Sequence, residues 1–172
     1  SGNDVFTNKP SVDDWYETIK LNYGVDYTDG SKHFDPIPST WNKMVDILKY
    51  WAAKGVDGFR CDMVFMVPVE FWNYAIAAVK ADYPNQVFVA EIYDPTIYVS
   101  YVEEGGFDYL YDKVELYDTI RTVVDGRRPA SIIASVFDLP TYKSSAATHM
   151  LNFLENHDEQ RIASDFFGKS AQ

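Results

Sequence analysis

Gly55-Val56-Asp57-Gly58-Phe59-Arg60-Cys61-Asp62 is the stretch on which the reading of this chain turns. Gly55 stops the helical pattern before it. Val56 to Cys61 then reads as a short buried strand that delivers a carboxylate, Asp62, at its end. Val87 to Ile92 repeats the theme, almost wholly apolar before Glu91. Between the two, Pro68 opens a helix with Phe71, Trp72, Ala75, Ile76 and Val79 inward, and Pro84 closes it. Upstream, Thr40 opens a helix whose apolar stripe is Trp41, Met44, Val45, Leu48 and Trp51 or Ala52.

Working outward, Ser11 is expected to cap a first helix carrying Val12, Trp15, Tyr16 and Ile19. The Gly-, Asp- and Pro-rich run from Gly24 to Pro38 reads as a loop. Downstream, Phe107 to Tyr111 is a third strand, followed by a helix from about Val114 to Val124 and a helical stretch from Pro129. Met150 to Glu155 is a fourth strand and Glu159 to Phe167 a final helix.

Apolar strands separated by amphipathic helices imply a parallel sheet covered on both faces. A doubly wound sheet and a slice of a (β/α)8 barrel both satisfy that pattern. The polar residues decide between them. Asp62, Glu91 and Asp158 each sit at or just past the C-terminal end of a strand, where barrels place catalytic groups. Asp62 and Glu91 are also about one βα repeat apart, since ~250 residues over eight units gives roughly 31 each. The fold class expected is α/β, a partial (β/α)8 barrel of about four βα units with parallel strands. Residues 1–172 form a fragment of a single catalytic barrel domain in this reading.

Charge and composition narrow the partners. A net charge of −11 argues against nucleic acid and against an anionic membrane surface, both of which call for Lys and Arg. No apolar run approaches the roughly 20 residues of a membrane span. Ser1 to Pro10 shows no charged-then-apolar targeting pattern. Cys61 is the one cysteine, so no internal disulfide forms and the compartment stays open.

Three carboxylates at equivalent strand ends, with Arg60 and His157 beside them, suit glycoside hydrolysis. That reaction uses one carboxylate to attack the anomeric carbon and one carboxylic acid to protonate the leaving oxygen. The aromatic content, 16 %, suits both sugar stacking and a packed core and so decides nothing.

Gly58-Phe59-Arg60-Cys61-Asp62 resembles the G-F-R-x-D nucleophile strand of the alpha-amylase family. Val89-Ala90-Glu91, followed by Tyr93, is similar to that family's acid/base strand, and Phe153-Leu154-Glu155-Asn156-His157-Asp158 to its F-x-x-N-H-D strand. The resemblance implies a retaining enzyme acting on alpha-linked glucose polymers such as starch or maltodextrin. It implies Asp62 as nucleophile, Glu91 as general acid/base and Asp158 as the residue that binds sugar hydroxyls and stabilises the transition state. Arg60 would position the nucleophile and keep it ionised, His157 would bond the sugar in the cleavage subsite, and Tyr93 would stack on the leaving-group sugar. It also favours an extracellular or periplasmic setting.

The chain departs from the family in two places. Phe65 and Met66 stand where many members carry Lys-His, which leaves room for maltodextrin-active or transglycosidase relatives. The third-strand D-x-x-x-N-H motif is absent. This chain therefore requires no cofactor of its own and contains no metal site, and calcium stays open for a full-length parent. A non-catalytic glucan-binding module is the rival from another class, but such relatives typically lose the acids that are present here.

Several other residues read as structural. His33 and Asp35 lie in a polar loop without a third ligand. Asp108, Tyr109, Tyr111 and Asp112 surround the third strand. His149 is read as surface and Cys61 as core packing, turned away from Asp62 by strand alternation. With four strands, the sheet would keep raw edges, so a homodimer through exposed barrel edges is one expected partner state.

Overall fold

The computed structural model describes Val5 and residues 7–166. These fall into two compact units: residues up to Asp57 together with Phe65–Gln86, and Gly58–Val64 together with the residues from Val87 on.

The first unit is built on two helices, α1 (Ser39–Ala52) and α2 (Val69–Asp82). Both begin after a proline in extended conformation, Pro38 and Pro68, which cannot itself join a hydrogen-bonded turn as a donor. All five inward residues expected for α2 are buried, and Trp41, Val45 and Ala52 are buried on α1. Trp41 anchors the packing: its indole Nε1 donates to the Tyr23 carbonyl at 3.0 Å and its ring lies 5.7 Å from that of Phe71. Tyr74 donates to Asn42 Oδ1 at 2.7 Å, and Lys49 pairs with Asp82 at 2.6 Å.

Gly24 to Pro38 is the expected loop, pinched by an antiparallel bridge between Val25 and Lys32. Gly24 has φ +87°, and a Cβ there would meet the His33 carbonyl oxygen at 2.6 Å, so glycine is required. The helix expected after Ser11 does not form; residues 11–17 make turns and bends. Asp14 accepts from the Ser11 amide at 2.7 Å and Ser11 Oγ from the Asp13 amide at 3.2 Å. Such local side-chain bonds compete with a helix. Val12, Tyr16 and Ile19 are exposed, so the apolar stripe buries too little to offset helix nucleation.

The second unit holds one four-stranded parallel sheet: β1 (Gly58–Cys61), β2 (Val87–Ala90), β3 (Tyr109–Tyr111) and β4 (Met150–Leu151). Its order is β1-β2-β3-β4. The chain steps to the next neighbour each time, as in a barrel, whereas a doubly wound sheet reverses at a switch point. This is the partial (β/α)8 barrel expected. Cys61 pairs with Ala90, Ala90 with Leu110 and Leu110 with Met150, so the strand ends are level. Phe88, Ala90, Ile92, Tyr98, Phe107 and Leu110 form the fully buried core around it.

The connections contain α3 (Tyr98–Glu103), α4 (Asp118–Val124) and α5 (Ile132–Val136). The helix expected from Val114 opens instead as a π-helical turn over Lys113–Tyr117, with the Tyr117 amide donating to the Asp112 carbonyl at 3.2 Å. Asp112 causes this start, because its buried Oδ1 accepts from the Leu116 amide at 2.9 Å.

β4 is shorter than the Met150–Glu155 strand expected. Asn152 turns its amide to Asp112 Oδ2 at 2.8 Å, and Phe153 stacks on Tyr117 with centroids 5.2 Å apart. The final helix is absent over residues 159–166, and Phe167 lies outside the described residues. There Glu155 accepts from the Ile162 amide at 2.8 Å and binds Arg161, while Asn156 Oδ1 accepts from the amides of Asp158 and Glu159. Side chains take the amides that would otherwise begin a helix.

Candidate active site

Alternation along β1 sets the site. Cys61 faces the interior and is buried, and burial pushes its thiol up to about 12. Arg60 and Asp62 therefore lie on the other face. Arg60 reaches every carboxylate expected from the sequence. Its Nη1 donates to Asp62 Oδ1, its Nη2 lies 2.8 Å from Glu91 Oε1, and the same Nη2 lies 3.8 Å from Asp158 Oδ2. Burial works against the Arg60 charge, but the hydrogen bonds to Tyr111 and Asp62 and the charge of Glu91 outweigh it and raise its pKa above the usual guanidinium value. The cation is permanent and lies among the three acids; Asp62 and Glu91 directly follow level strand ends, whereas Asp158, expected at the end of the fourth strand, lies on the loop beyond β4, which ends at Leu151.

The acids differ in environment. The side chain of Glu91 is 4 % exposed, against 76 % for Asp62 and 53 % for Asp158. Glu91 is also the most tightly held. Tyr93 donates its hydroxyl to Glu91 Oε1 at 2.5 Å, and the backbone amide of Met63 donates to Oε2 at 2.8 Å. Burial, that hydrogen bond and the charge of Glu91 raise the Tyr93 phenol above its usual value, so it is a neutral donor at any working pH. His157 Nε2 lies 3.2 Å from Asp158 Oδ2 and its ring is exposed. All six residues singled out in the sequence thus lie in one connected group: Asp62, Glu91, Asp158, Arg60, His157 and Tyr93.

Tyr111 belongs with them, although the sequence suggested a structural role. Arg60 Nε donates to its hydroxyl at 3.4 Å, and the guanidinium lies 5.6 Å from the ring centroid. In the sheet, Tyr111 lies one residue beyond the level shared by Cys61, Ala90 and Leu110, as Asp62 and Glu91 do on their strands, a register that the sequence alone does not give. Asp108 and Asp112 are structural as read: Asp108 Oδ2 accepts from the Phe88 amide at 2.8 Å, and Asp112 is fully buried. His149 is half-buried rather than surface-lying, and its Nδ1 donates to the Asp108 carbonyl at 2.9 Å.

Elsewhere, His33 Nε2 bonds Ser31 Oγ at 2.9 Å. Among the described residues no group of three or more His, Cys, Asp or Glu side chains could hold a metal ion. Nor is any helix among them long and apolar enough to cross a membrane.

An exposed carboxylate, a buried carboxyl group held by donors and a third acid, all gathered on one arginine, offer the paired carboxyl groups that glycoside cleavage uses. Comparison with known proteins points the same way. The family model described as alpha amylase, catalytic domain, matches residues 36–172. An alpha-1,4-glucan:maltose-1-phosphate maltosyltransferase of Rhodospirillum rubrum is 35 % identical over 82 residues, covering 48 % of this chain and 11 % of its own length. The alpha-amylase MalA of Haloarcula japonica is 29 % identical over 141 residues, covering 81 % of this chain and 20 % of its own length. An alpha-amylase from Lactobacillus plantarum shares the fold with TM-score 0.66 and 26 % identity, over 94 % of this chain and 37 % of that structure. The chain therefore spans well under half the length of each of these proteins.

Proposed function

Because the chain belongs to the alpha-amylase family, we propose that it carries the catalytic centre of a retaining enzyme that cleaves alpha-glucosidic bonds in alpha-glucans, and that residues 1–172 are part of one (β/α)8 catalytic domain. The observation that carries this reading is Arg60 bound at once to Asp62 and Glu91.

In the first step, Asp62 attacks the anomeric carbon while Glu91 gives a proton to the departing glycosidic oxygen. A glycosyl ester on Asp62 results. In the second step Glu91 takes a proton from water as that water opens the ester, so two inversions restore the alpha configuration. Tyr93 and Arg60 hold Glu91 in place through both proton transfers. Asp158, with His157 beside it, faces the sugar hydroxyls and the positive charge that builds at the ring. Tyr111 braces Arg60 from the next strand end but one.

Water is the acceptor in the reading preferred here. A sugar hydroxyl as acceptor is the second reading, and the likeness to a maltosyltransferase favours it. Phe65 and Met66 stand where many members carry Lys-His after the nucleophile, so weak use of long acceptors and short products such as maltose or glucose are expected. Proton NMR of maltooligosaccharide turnover by the full-length enzyme tests all of this: an alpha anomer formed first, with short free sugars, is expected. A beta anomer would overturn retention, and lengthened oligosaccharides would favour transfer over hydrolysis.

A further inference from the structure

Met63 follows the proposed nucleophile directly, and its backbone has φ +41°, the one non-glycine residue with positive φ among the described residues. A left-handed backbone is costly for a residue with a Cβ and persists only where the surroundings enforce it. Here it has a visible consequence. The Met63 amide donates to Glu91 Oε2 at 2.8 Å, and the next amide, Val64 N, donates to the Glu91 carbonyl oxygen at 3.0 Å. Two successive amides converge on one residue only when the backbone turns between them, as in anion-binding nests. The Glu91 amide in turn donates to the Cys61 carbonyl at 2.9 Å, so the strand end carrying Asp62 and the residue Glu91 are tied at three points.

We propose that Met63 is a positioning residue: its left-handed backbone turns the chain so that two successive amides, its own and that of Val64, meet Glu91, and so sets the acid/base carboxyl relative to Asp62. The role belongs to the backbone and not to the thioether. It rests on the reading of Glu91 as acid/base given above. Tyr93 and Arg60 both engage Oε1, and the Met63 amide fixes the opposite oxygen. Without that third contact the carboxyl group can rotate about its last bond, and proton delivery to the leaving oxygen loses its geometry.

The test uses Met63→Val, Met63→Leu and Met63→Gly in the full-length enzyme. Valine is β-branched and tolerates positive φ worst, leucine keeps an unbranched Cβ and similar volume, and glycine adopts the conformation freely. Each variant is assayed on a maltooligosaccharide and on an alpha-glycosyl fluoride, whose leaving group needs no proton. We expect kcat/KM for the oligosaccharide to fall at least about tenfold in Met63→Val with the fluoride within about threefold, and both substrates to stay within about threefold in the other two variants. Equal losses on both substrates in Met63→Val, or no loss on either, would overturn the proposal. So would a Met63→Leu or Met63→Gly variant that loses selectively on the oligosaccharide. Should Met63→Val fail to fold, Met63→Thr, also β-branched and so also resistant to positive φ, takes its place with the same expected and contradicting results. Glu91→Gln run alongside separates the two levels. If it fails to show the leaving-group dependence, the reading of Glu91 as acid/base falls. If it shows that dependence and Met63→Val does not, only the role of Met63 falls.

Discussion

The Tyr111 hydroxyl accepts a hydrogen bond from Arg60 Nε at 3.4 Å, and the ring of the same tyrosine packs at a tilt against Phe153 with centroids 5.1 Å apart. Tyr111 therefore links the arginine that gathers the acids to the aromatic packing beyond β4. Tyr111→Phe removes only the hydrogen bond and should cost about 1 kcal/mol, a several-fold loss in kcat/KM. Tyr111→Leu also removes the ring under the guanidinium and should cost more. Steady-state kinetics of the two variants check this, and equal effects would assign the contribution to the hydroxyl alone.

Glu115 supplies a stability prediction. It is 9 % exposed, Thr141 Oγ1 donates to its Oε1 at 3.0 Å, and its Oε2 is buried without a hydrogen-bond partner among the described residues. Burial raises its pKa above the usual carboxylate value, and the charge of Asp112 adds to the effect. A raised folded-state pKa favours the folded protein fully below the unfolded value of about 4.3, and that advantage is lost as pH rises through the folded value. Glu115→Gln, which can still accept from Thr141, should flatten this loss. Melting temperatures of wild type and variant should converge near pH 4 and separate toward neutrality, with the variant higher. A variant that is lower throughout would contradict the argument.

Cys61 should behave as core. With its thiol buried and pushed up to about 12, it carries almost no thiolate at pH 8. Iodoacetamide should leave the native protein unlabelled and modify it once in denaturant, as read by intact mass. Rapid labelling of the folded protein would show that β1 opens readily.

Among the described residues β1 and β4 each pair with a neighbour on one side only. Unpaired strand edges recruit partners. The 172-residue chain prepared by itself should self-associate, as light scattering would show, and should have far lower activity than the full-length enzyme. A monodisperse, fully active monomer would contradict both expectations.

The sheet and the site were legible in the sequence for a shared physical reason. Parallel strands buried on both faces must be continuous apolar runs, so Val87 to Ala90 announces itself, and a carboxylate ending such a run stands out. The helices α1 and α2 were equally plain, because their stripes are regular and prolines mark their starts. Other features depend on partners that are distant in sequence. Asp112 takes hydrogen bonds from Leu116, Tyr142 and Asn152, and this both shortens β4 and opens the following helix as a π turn. The stripe at Val12, Trp15, Tyr16 and Ile19 misled because periodicity records what a helix would bury, not whether a partner surface exists. Tyr111 was overlooked because a tyrosine ending a strand is common in cores, and its pairing with Arg60 appears only once β1 and β3 lie in one sheet. The left-handed turn at Met63 leaves no trace in composition at all.

The central claim is that Asp62 is the residue glycosylated during turnover. The most direct measurement is peptide mass spectrometry of the full-length enzyme after reaction with a fluorinated alpha-glucosyl fluoride, which slows breakdown of the glycosyl ester. One added sugar is expected on the peptide containing Asp62, lost in Asp62→Asn. An adduct on Glu91 or Asp158 in place of Asp62, or rapid turnover by Asp62→Asn, would contradict that claim.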